Sequence, residues 1–306
     1  MSWNWNCFSD GQNERKLALI NRLNPSVVAL QEVDRAAWMF LEESAEDWTL
    51  HMPSGWETDE WAEDGRKQPM PSTALLVRSG MTVSTIEPPD LSAWTKPTGR
   101  WSQEFTATFA GDDTEQPEHR AFMGAQVTVG DAVVTVVSAH PPHAAADGPE
   151  QEGRRILRKR RTYEVLRQWI ADKTPLVLGM DANAWIDSGL EPLSDGLKID
   201  PGNAQHDIGL FLYNGFIDGE EDVAAPLDAF RIWLAENDVA RKDIETRRPF
   251  GPWAMTYIRS TQYARADRRD LVMVSRGIAV TNVEHNYEDS VAAGSDHSYV
   301  LCDLEI

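Results

Sequence analysis

The sequence repeatedly places an acid, an amide or an imidazole at the end of an apolar run. The clearest case is Pro175 to Trp185, PLVLGMDANAW, where Leu176, Val177 and Leu178 are followed by Asp181 and Asn183 with only Ala182 between them. In extended geometry, alternation carries both side chains to the same side, aimed at one point past the strand end. A buried strand ending in this way can hold a polar ligand, although a D-x-N step can equally spend both groups on its own backbone in an Asx turn. Other strand ends carry the same kinds of residue: Asn4 after Trp3, Glu32 after VVALQ, His140 after VVTVVSA, Asp270 at the entry to LVMV, and Asp296 with His297 before the last strand. In an α/β protein, strand ends on one rim of a sheet lie close together. The set contains acids, amides and imidazoles and no thiolate, which is a donor set for Mg²⁺ or Mn²⁺ rather than Zn²⁺. Its imidazoles can move protons near neutral pH, and an Asp can orient one of them.

The elements that must position these residues can be read from periodicity. Trp3 to Cys7 reads as the end of a strand, with Asn4 and Asn6 on one side and Trp3 and Trp5 on the other. Glu14 to Asn24 reads as an amphipathic helix carrying Leu17, Ile20 and Leu23 and stopped before Pro25. Val27 to Leu30 is a buried strand. Thr73 to Val77 and Phe105 to Phe109 are strand-like, and Glu87 to Trp101 reads as loop. Phe122 to Val129 and Ala132 to Val137 form a hairpin about Gly130-Asp131. Pro141-Pro142 excludes a helix that would pair His140 with His143, so His140 is the site candidate and His143 a surface residue. Arg154 to Ala171 is predicted helical, with Ile156, Tyr163, Leu166 and Ile170 on its apolar face and Arg154, Arg155, Arg158, Lys159 and Arg161 on the other. That basic face reads either as a phosphate-backbone patch or as a solvated face balanced by Glu150, Glu152 and Glu164. Ile186 to Phe250 gives one helix signal, Leu227, Phe230 and Leu234 after Pro226. Ala254 to Ile258, Leu271 to Val274 and Tyr299 to Leu304 complete the strands.

The composition sets limits. The hydrophobic share of 42% and charged share of 25% suit a globular protein with a real core. The net charge of −20 argues against tight non-specific binding of a polyanion over the whole surface. Phosphate chemistry here would need bound cations or a local basic patch. Trp48, Trp56 and Trp61 lie among acidic residues and read as packing residues rather than a base-stacking platform. No apolar run is long enough to cross a bilayer, no basic and apolar signal peptide follows Met1, and a cytoplasmic enzyme is the default expectation. Cys7 and Cys302 read as two free thiols.

Six motifs, in order along nearly the whole chain, resemble the endonuclease/exonuclease/phosphatase superfamily, the deoxyribonuclease I-like proteins. They are WNWN (Trp3 to Asn6), LQE (Leu30 to Glu32), SAH (Ser138 to His140), GMDAN (Gly179 to Asn183), RRDLVMVS (Arg268 to Ser275) and GSDH (Gly294 to His297). One departure is that the family's Gly-Asp-x-Asn appears here as Gly-Met-Asp-Ala-Asn. The resemblance implies one catalytic domain over residues 1–306. Its architecture would be an α/β four-layer α/β/β/α sandwich with two mixed β-sheets packed face to face. It also implies a divalent-metal-dependent phosphoester hydrolase. Asn4 and Glu32 would hold the Mg²⁺ or Mn²⁺ with Asp296 nearby. His297 would be the general base, oriented by Asp270, and Asp181 would position the water. Asn183 would donate to the phosphate, and His140 would contact it. The expected partner is a phosphoester, DNA or RNA for a nuclease, acted on by a monomer. The alternatives are an inositol phosphate or sphingomyelin-type lipid substrate, and a family member that has lost catalysis and only binds.

Overall fold

The computed structural model describes residues 1–6, 11–53, 72–89, 121–142, 159, 162–163, 165–186, 216–217, 220–221, 226–237, 256–260 and 265–306. The first sheet draws on both ends of the chain. β1 (Ser2–Asn4) lies between β2 (Val27–Val33), which runs parallel to it, and β15 (Tyr299–Glu305), which runs antiparallel. With β3 (Trp48–His51), β4 (Ser72–Arg78) and β14 (Ala279–Asn286), the order is β14-β15-β1-β2-β4-β3. The second sheet has the order β11-β13-β8-β7-β6-β5, and β12 (Tyr257–Ser260) pairs with β13 off this path. Its strands are β5 (Val83–Ile86), β6 (Phe122–Val129), β7 (Ala132–Ala139), β8 (Leu176–Ile186), β11 (Leu227–Asp228) and β13 (Arg265–Val274). Both sheets mix parallel and antiparallel pairs. A separate two-stranded ribbon joins β9 (Phe216–Ile217) and β10 (Glu220–Glu221).

Helices cover the outer faces. Against the first sheet lie α1 (Asn13–Leu23), α2 (Arg35–Ser44) and α5 (Tyr287–Ala293). Leu17, Leu19, Ile20, Ala37, Leu41 and Ala293 bury with Trp3, Val28, Leu30, Leu76 and Tyr299. Against the second sheet lies α3, whose described helical residues are 159, 162–163 and 165–170. Tyr163, Leu166 and Ile170 pack there on Leu178, Met180, Ala182 and Leu271. Between the sheets, Ala29, Leu75 and Val77 meet Met123, Ala125, Val134 and Val136. α4 (Ala229–Glu236) follows Pro226 and begins at Asp228, whose carboxylate accepts from Phe230 N at 3.1 Å. The expected four-layer α/β/β/α sandwich is observed.

Several local expectations change. Gly179, read as the end of a strand, lies inside β8, which runs to Ile186. A Cβ on Gly179 would meet Ala29 Cβ at 2.6 Å and Ser2 Cβ at 3.0 Å, so this glycine marks a close approach of the two sheets. Asp270 is likewise an interior residue of β13, directly opposite Asp181. The Gly130-Asp131 hairpin forms as predicted, with Val129 opposite Ala132. Trp48 is buried, donates to Asn21 Oδ1 at 2.8 Å and carries the Arg78 guanidinium 4.5 Å from its ring centroid, so it packs. Trp56, Trp61, His143, Cys7, Phe105 to Phe109, and Arg154, Arg155, Arg158 and Arg161 lie outside the described residues. No helix among the described residues is long and apolar enough to cross a membrane.

Candidate active site at one rim of the two sheets

β1, β2, β7 and β8 run toward one rim, the first half of β13 lies beside β8 there, and the chain entering β15 returns to it. Leu178, Met180 and Ala182 face outward to α3, so alternation turns Gly179 and Asp181 inward, toward the first sheet. Asp181 is 1% exposed and both of its oxygens are engaged. Oδ2 accepts from Asn4 Nδ2 at 2.9 Å, and Oδ1 accepts from Asn183 N at 2.8 Å. Its Oδ2 also lies 3.6 Å from His140 Nε2 and 3.9 Å from His297 Nδ1. Burial opposes the charge on Asp181, but the two imidazoles and these hydrogen bonds outweigh it and hold its pKa below the usual carboxylate value.

His297 and Asp270 form a second unit. His297 Nδ1 lies 2.8 Å from Asp270 Oδ2, both groups are buried, and this contact leaves Nε2 as the ring nitrogen able to exchange a proton. Asp270 sits opposite Asp181 on the neighbouring strand, and its burial pushes its carboxyl up to about 6, with His297 pulling the other way. Burial also opposes charge on His297, yet Asp270 and Asp181 prevail and raise it to about 10. At neutral pH the pair is therefore a carboxylate facing an imidazolium.

The neighbouring backbone holds these groups in place. Trp3 Nε1 donates to His297 O at 3.1 Å, Ser295 Oγ donates to Asn4 O at 2.8 Å, and His297 N donates to Ser295 Oγ at 3.1 Å. Thr256 Oγ1 accepts from Arg269 N at 2.7 Å and Asp270 N at 3.0 Å. Below the rim, Gln31 Nε2 donates to Ser138 Oγ at 3.1 Å, and Ser138 Oγ donates to Leu30 O at 2.7 Å, tying β2 to β7. Gly294, at φ 102°, ends α5 in the left-handed conformation and sends Ser295 to His297 back into the site. Three side chains of the rim leave backbones that residues with a Cβ seldom adopt: Asn6 at φ 55°, Glu32 at φ 54° and Asn183 at φ 48°.

The eight expected residues do not all occupy equivalent places. Glu32 Oε1 lies 3.8 Å from His140 Nε2, and ligand-type atoms of Glu32, His140 and Asp181 fall within 4.8 Å of one another. A second such group joins Asp181, Asp270 and His297. Asn4 spends its Nδ2 on Asp181, and its Oδ1 accepts from Asn6 N at 2.8 Å. Asn183 Nδ2 donates to Pro141 O at 3.0 Å and lies 2.9 Å from His140 Nε2, so donation to an outside anion requires giving up one of these contacts. Asp296 stands apart from both groups: it is exposed and accepts from Asn6 Nδ2 at 2.8 Å. The donors suit a divalent cation, since two carboxylates, Glu32 and Asp181, and the His140 imidazole bring ligand-type atoms within 4.8 Å of one another.

Sequence reasoning missed two buried lysines. Lys16 is fully buried in α1; its Nζ donates to Trp5 O and also to Asn6 O at 3.2 Å, fixing the turn that presents Asn4 and Asn6. Lys159 was assigned to the basic face of its helix, but it is 7% exposed and donates to Asn183 O. The signal was present. Lys159 shares the spacing of Tyr163, Leu166 and Ile170, and Lys16 that of Ile20 and Leu23.

No family model matches the chain, and no curated protein matches it. Solved structures do. An AP endonuclease from Archaeoglobus fulgidus aligns with a TM-score of 0.57 at 9% identity, covering 97% of this chain and 96% of that one. D. rerio TDP2, solved with a single-strand DNA product, aligns at 0.56 and 13% identity over 100% and 97%. An endonuclease/exonuclease/phosphatase family protein from Leptotrichia buccalis aligns at 0.53 and 12% over 100% and 96%. The chain thus has the fold that these three structures share.

Proposed function

We propose that this protein is a divalent-cation-dependent phosphoester hydrolase, and most specifically a phosphodiesterase acting on nucleic acid. One observation carries the reading: side chains from four strands and one strand entry converge on Asp181 between two imidazoles, one of them paired with a buried carboxylate. Glu32 and Asn4 would hold the cation, with Asp181 beside them and Asp296 reaching it through water. When bound, that cation supplies positive charge for phosphoryl oxygens that become more negative toward the transition state. With a cation beside Asp181 offsetting the carboxylates that keep the ring protonated, His297 would be neutral and take the proton of the attacking water through Nε2, while Asp270 fixes the ring through Nδ1. Asp181, charged and immobile, orients the water. His140, braced by Asn183, meets the non-bridging oxygens.

Similar structures support this chemistry, since one is an AP endonuclease and another is TDP2 in complex with a single-strand DNA product. The net charge of −20 favours a second reading, a phosphatase or phosphodiesterase on a small or lipid-linked phosphate. The test is hydrolysis of supercoiled plasmid, RNA, inositol phosphates and sphingomyelin vesicles in Mg²⁺, with EDTA as control. The expected result is Mg²⁺-dependent cleavage of a nucleic acid that falls about 10²–10⁴-fold in His297→Ala, more than any loss of folded protein accounts for. Full activity in that variant would remove His297 from its role, and activity only on inositol phosphates or lipid would select the second reading.

A further inference from the structure

The helix behind the second sheet holds the rim from outside. Lys159 and Tyr163 are one turn apart on α3, so their side chains leave the same face. They reach two consecutive carbonyls of β8: Tyr163 Oη donates to Ala182 O at 2.7 Å, and Lys159 Nζ donates to Asn183 O. These carbonyls lie on either side of the Asn183 Cα, where the chain takes the left-handed conformation at φ 48°. A residue with a Cβ holds that conformation only where its surroundings fix it. The consequences of the turn are direct. Asn183 N reaches back to Asp181 Oδ1 at 2.8 Å, and Asn183 Nδ2 comes within 2.9 Å of His140 Nε2. Lys159 is 7% exposed and Tyr163 4%, so both donors work in a setting where an ammonium and a phenol are kept only if they are paired.

We infer that Lys159 and Tyr163 form a two-pronged strap that positions Asn183, and through it Asp181 and His140, for the reaction proposed above. The strap is a positioning device: it contacts no substrate and acts through the backbone of residues 182 and 183. The kinetic consequence rests on the proposed function. The geometric one does not.

The experiment uses the full chain with Lys159→Met, Tyr163→Phe and the double variant. Methionine keeps most of the lysine volume and removes a charge that burial disfavours, so the fold is retained. Two readouts are taken. In ring-labelled protein without metal, the His140 imidazole signals, assigned with His140→Gln, should shift in Lys159→Met and shift further in the double variant. In kinetics, kcat should fall about 10- to 100-fold with KM within about 2-fold, the size expected when a reacting group is displaced by an ångström or less. Lys159→Gln, which retains a donor N–H, should recover part of the loss. His140 signals superimposable on those of the parent in every variant would overturn the strap, as would a loss of kcat that merely follows loss of folded protein. If the parent hydrolyses no phosphoester, the spectra still decide the strap, and only the proposed function is withdrawn.

Discussion

Gly179→Ala adds one methyl at the point where β8 crosses beneath β1 and β2. The new Cβ would stand 2.6 Å from Ala29 Cβ and 3.0 Å from both Ser2 Cβ and Ser2 Oγ. Carbon atoms pack best at about 3.5–4.0 Å, so the Ala29 contact is short by about 1 Å. β8 cannot yield locally, because it is paired with β7 on one side and β13 on the other. The sheets must part instead, at a cost of about 1–3 kcal/mol. Asp181 lies two residues further along the same face, so catalysis should fall by more than the unfolded fraction accounts for. Ala29→Gly removes the worst contact and by itself costs about 0.5–1 kcal/mol as a glycine in a strand. The pair should therefore be less destabilised than the sum of the single changes, with a coupling of about 1–2 kcal/mol. Urea midpoints with unchanged m-values measure all four corners of the cycle. A Gly179→Ala protein as stable as its parent would refute the close approach, and strict additivity would show that Ala29 is not what the methyl meets.

Two further outcomes concern charge. A group whose pKa is raised by folding adds stability that is complete below its unfolded value and lost as pH climbs through the folded one. For His297, raised to about 10, that loss runs from about pH 6.5 upward in EDTA. Lys159 works in the opposite sense: burial lowers it to about 8, so its penalty is relieved as pH rises above that value. Urea midpoints between pH 7 and 9.5 should therefore fall more steeply in Lys159→Met than in the parent, and equal slopes would contradict this pairing of opposed groups. Separately, Glu32→Gln should raise the Mg²⁺ needed for half-maximal activity by about 10-fold or more, with Mn²⁺ relaxation titrations showing weaker binding. An unchanged requirement would move the cation away from Glu32.

The layers of the fold could be read from the sequence because each strand is a short apolar run bounded by a polar residue or a turn. The Gly130-Asp131 hairpin, α1 and the final strand appear close to where periodicity predicts them. α2, β5 and β14 were missed for a physical reason. In β14, Ala279–Asn286, only Val280 and Val283 are buried, at a spacing of three rather than two. The shift in register between Val280 and Asn282 explains the spacing, because a bulge resets the alternation that strand recognition depends on. β5 is partly exposed throughout, so it has no strong alternation to detect.

The site residues were legible by type, but their relations were not. Nothing in D-A-N indicates that Asn183 folds back on Asp181, and nothing in LQE indicates that Glu32 leaves its strand with φ near 54°. The Asn183 backbone is held by groups that are ordinary in sequence, a lysine and a tyrosine on α3, just as a serine before His297 holds Asn4 and a threonine ahead of β12 holds Asp270. Lys16 shows how the reading went astray. A lysine within a helix is normally assigned to water, yet its stem can lie in an apolar layer while its ammonium closes on carbonyls at the layer's edge. Lys159 repeats the pattern on the opposite face of the sandwich, so each outer helical layer sends one buried ammonium to the backbone of a strand end that carries the chemistry. In a chain with a net charge of −20, the Lys159 ammonium, which feels the charge of Asp181, also lowers the electrostatic cost of assembling the carboxylates before any metal arrives. Lys159 therefore bears on both the shape and the charge of the rim and Lys16 on its shape, and replacing them separately, with methionine at each, would tell these contributions apart.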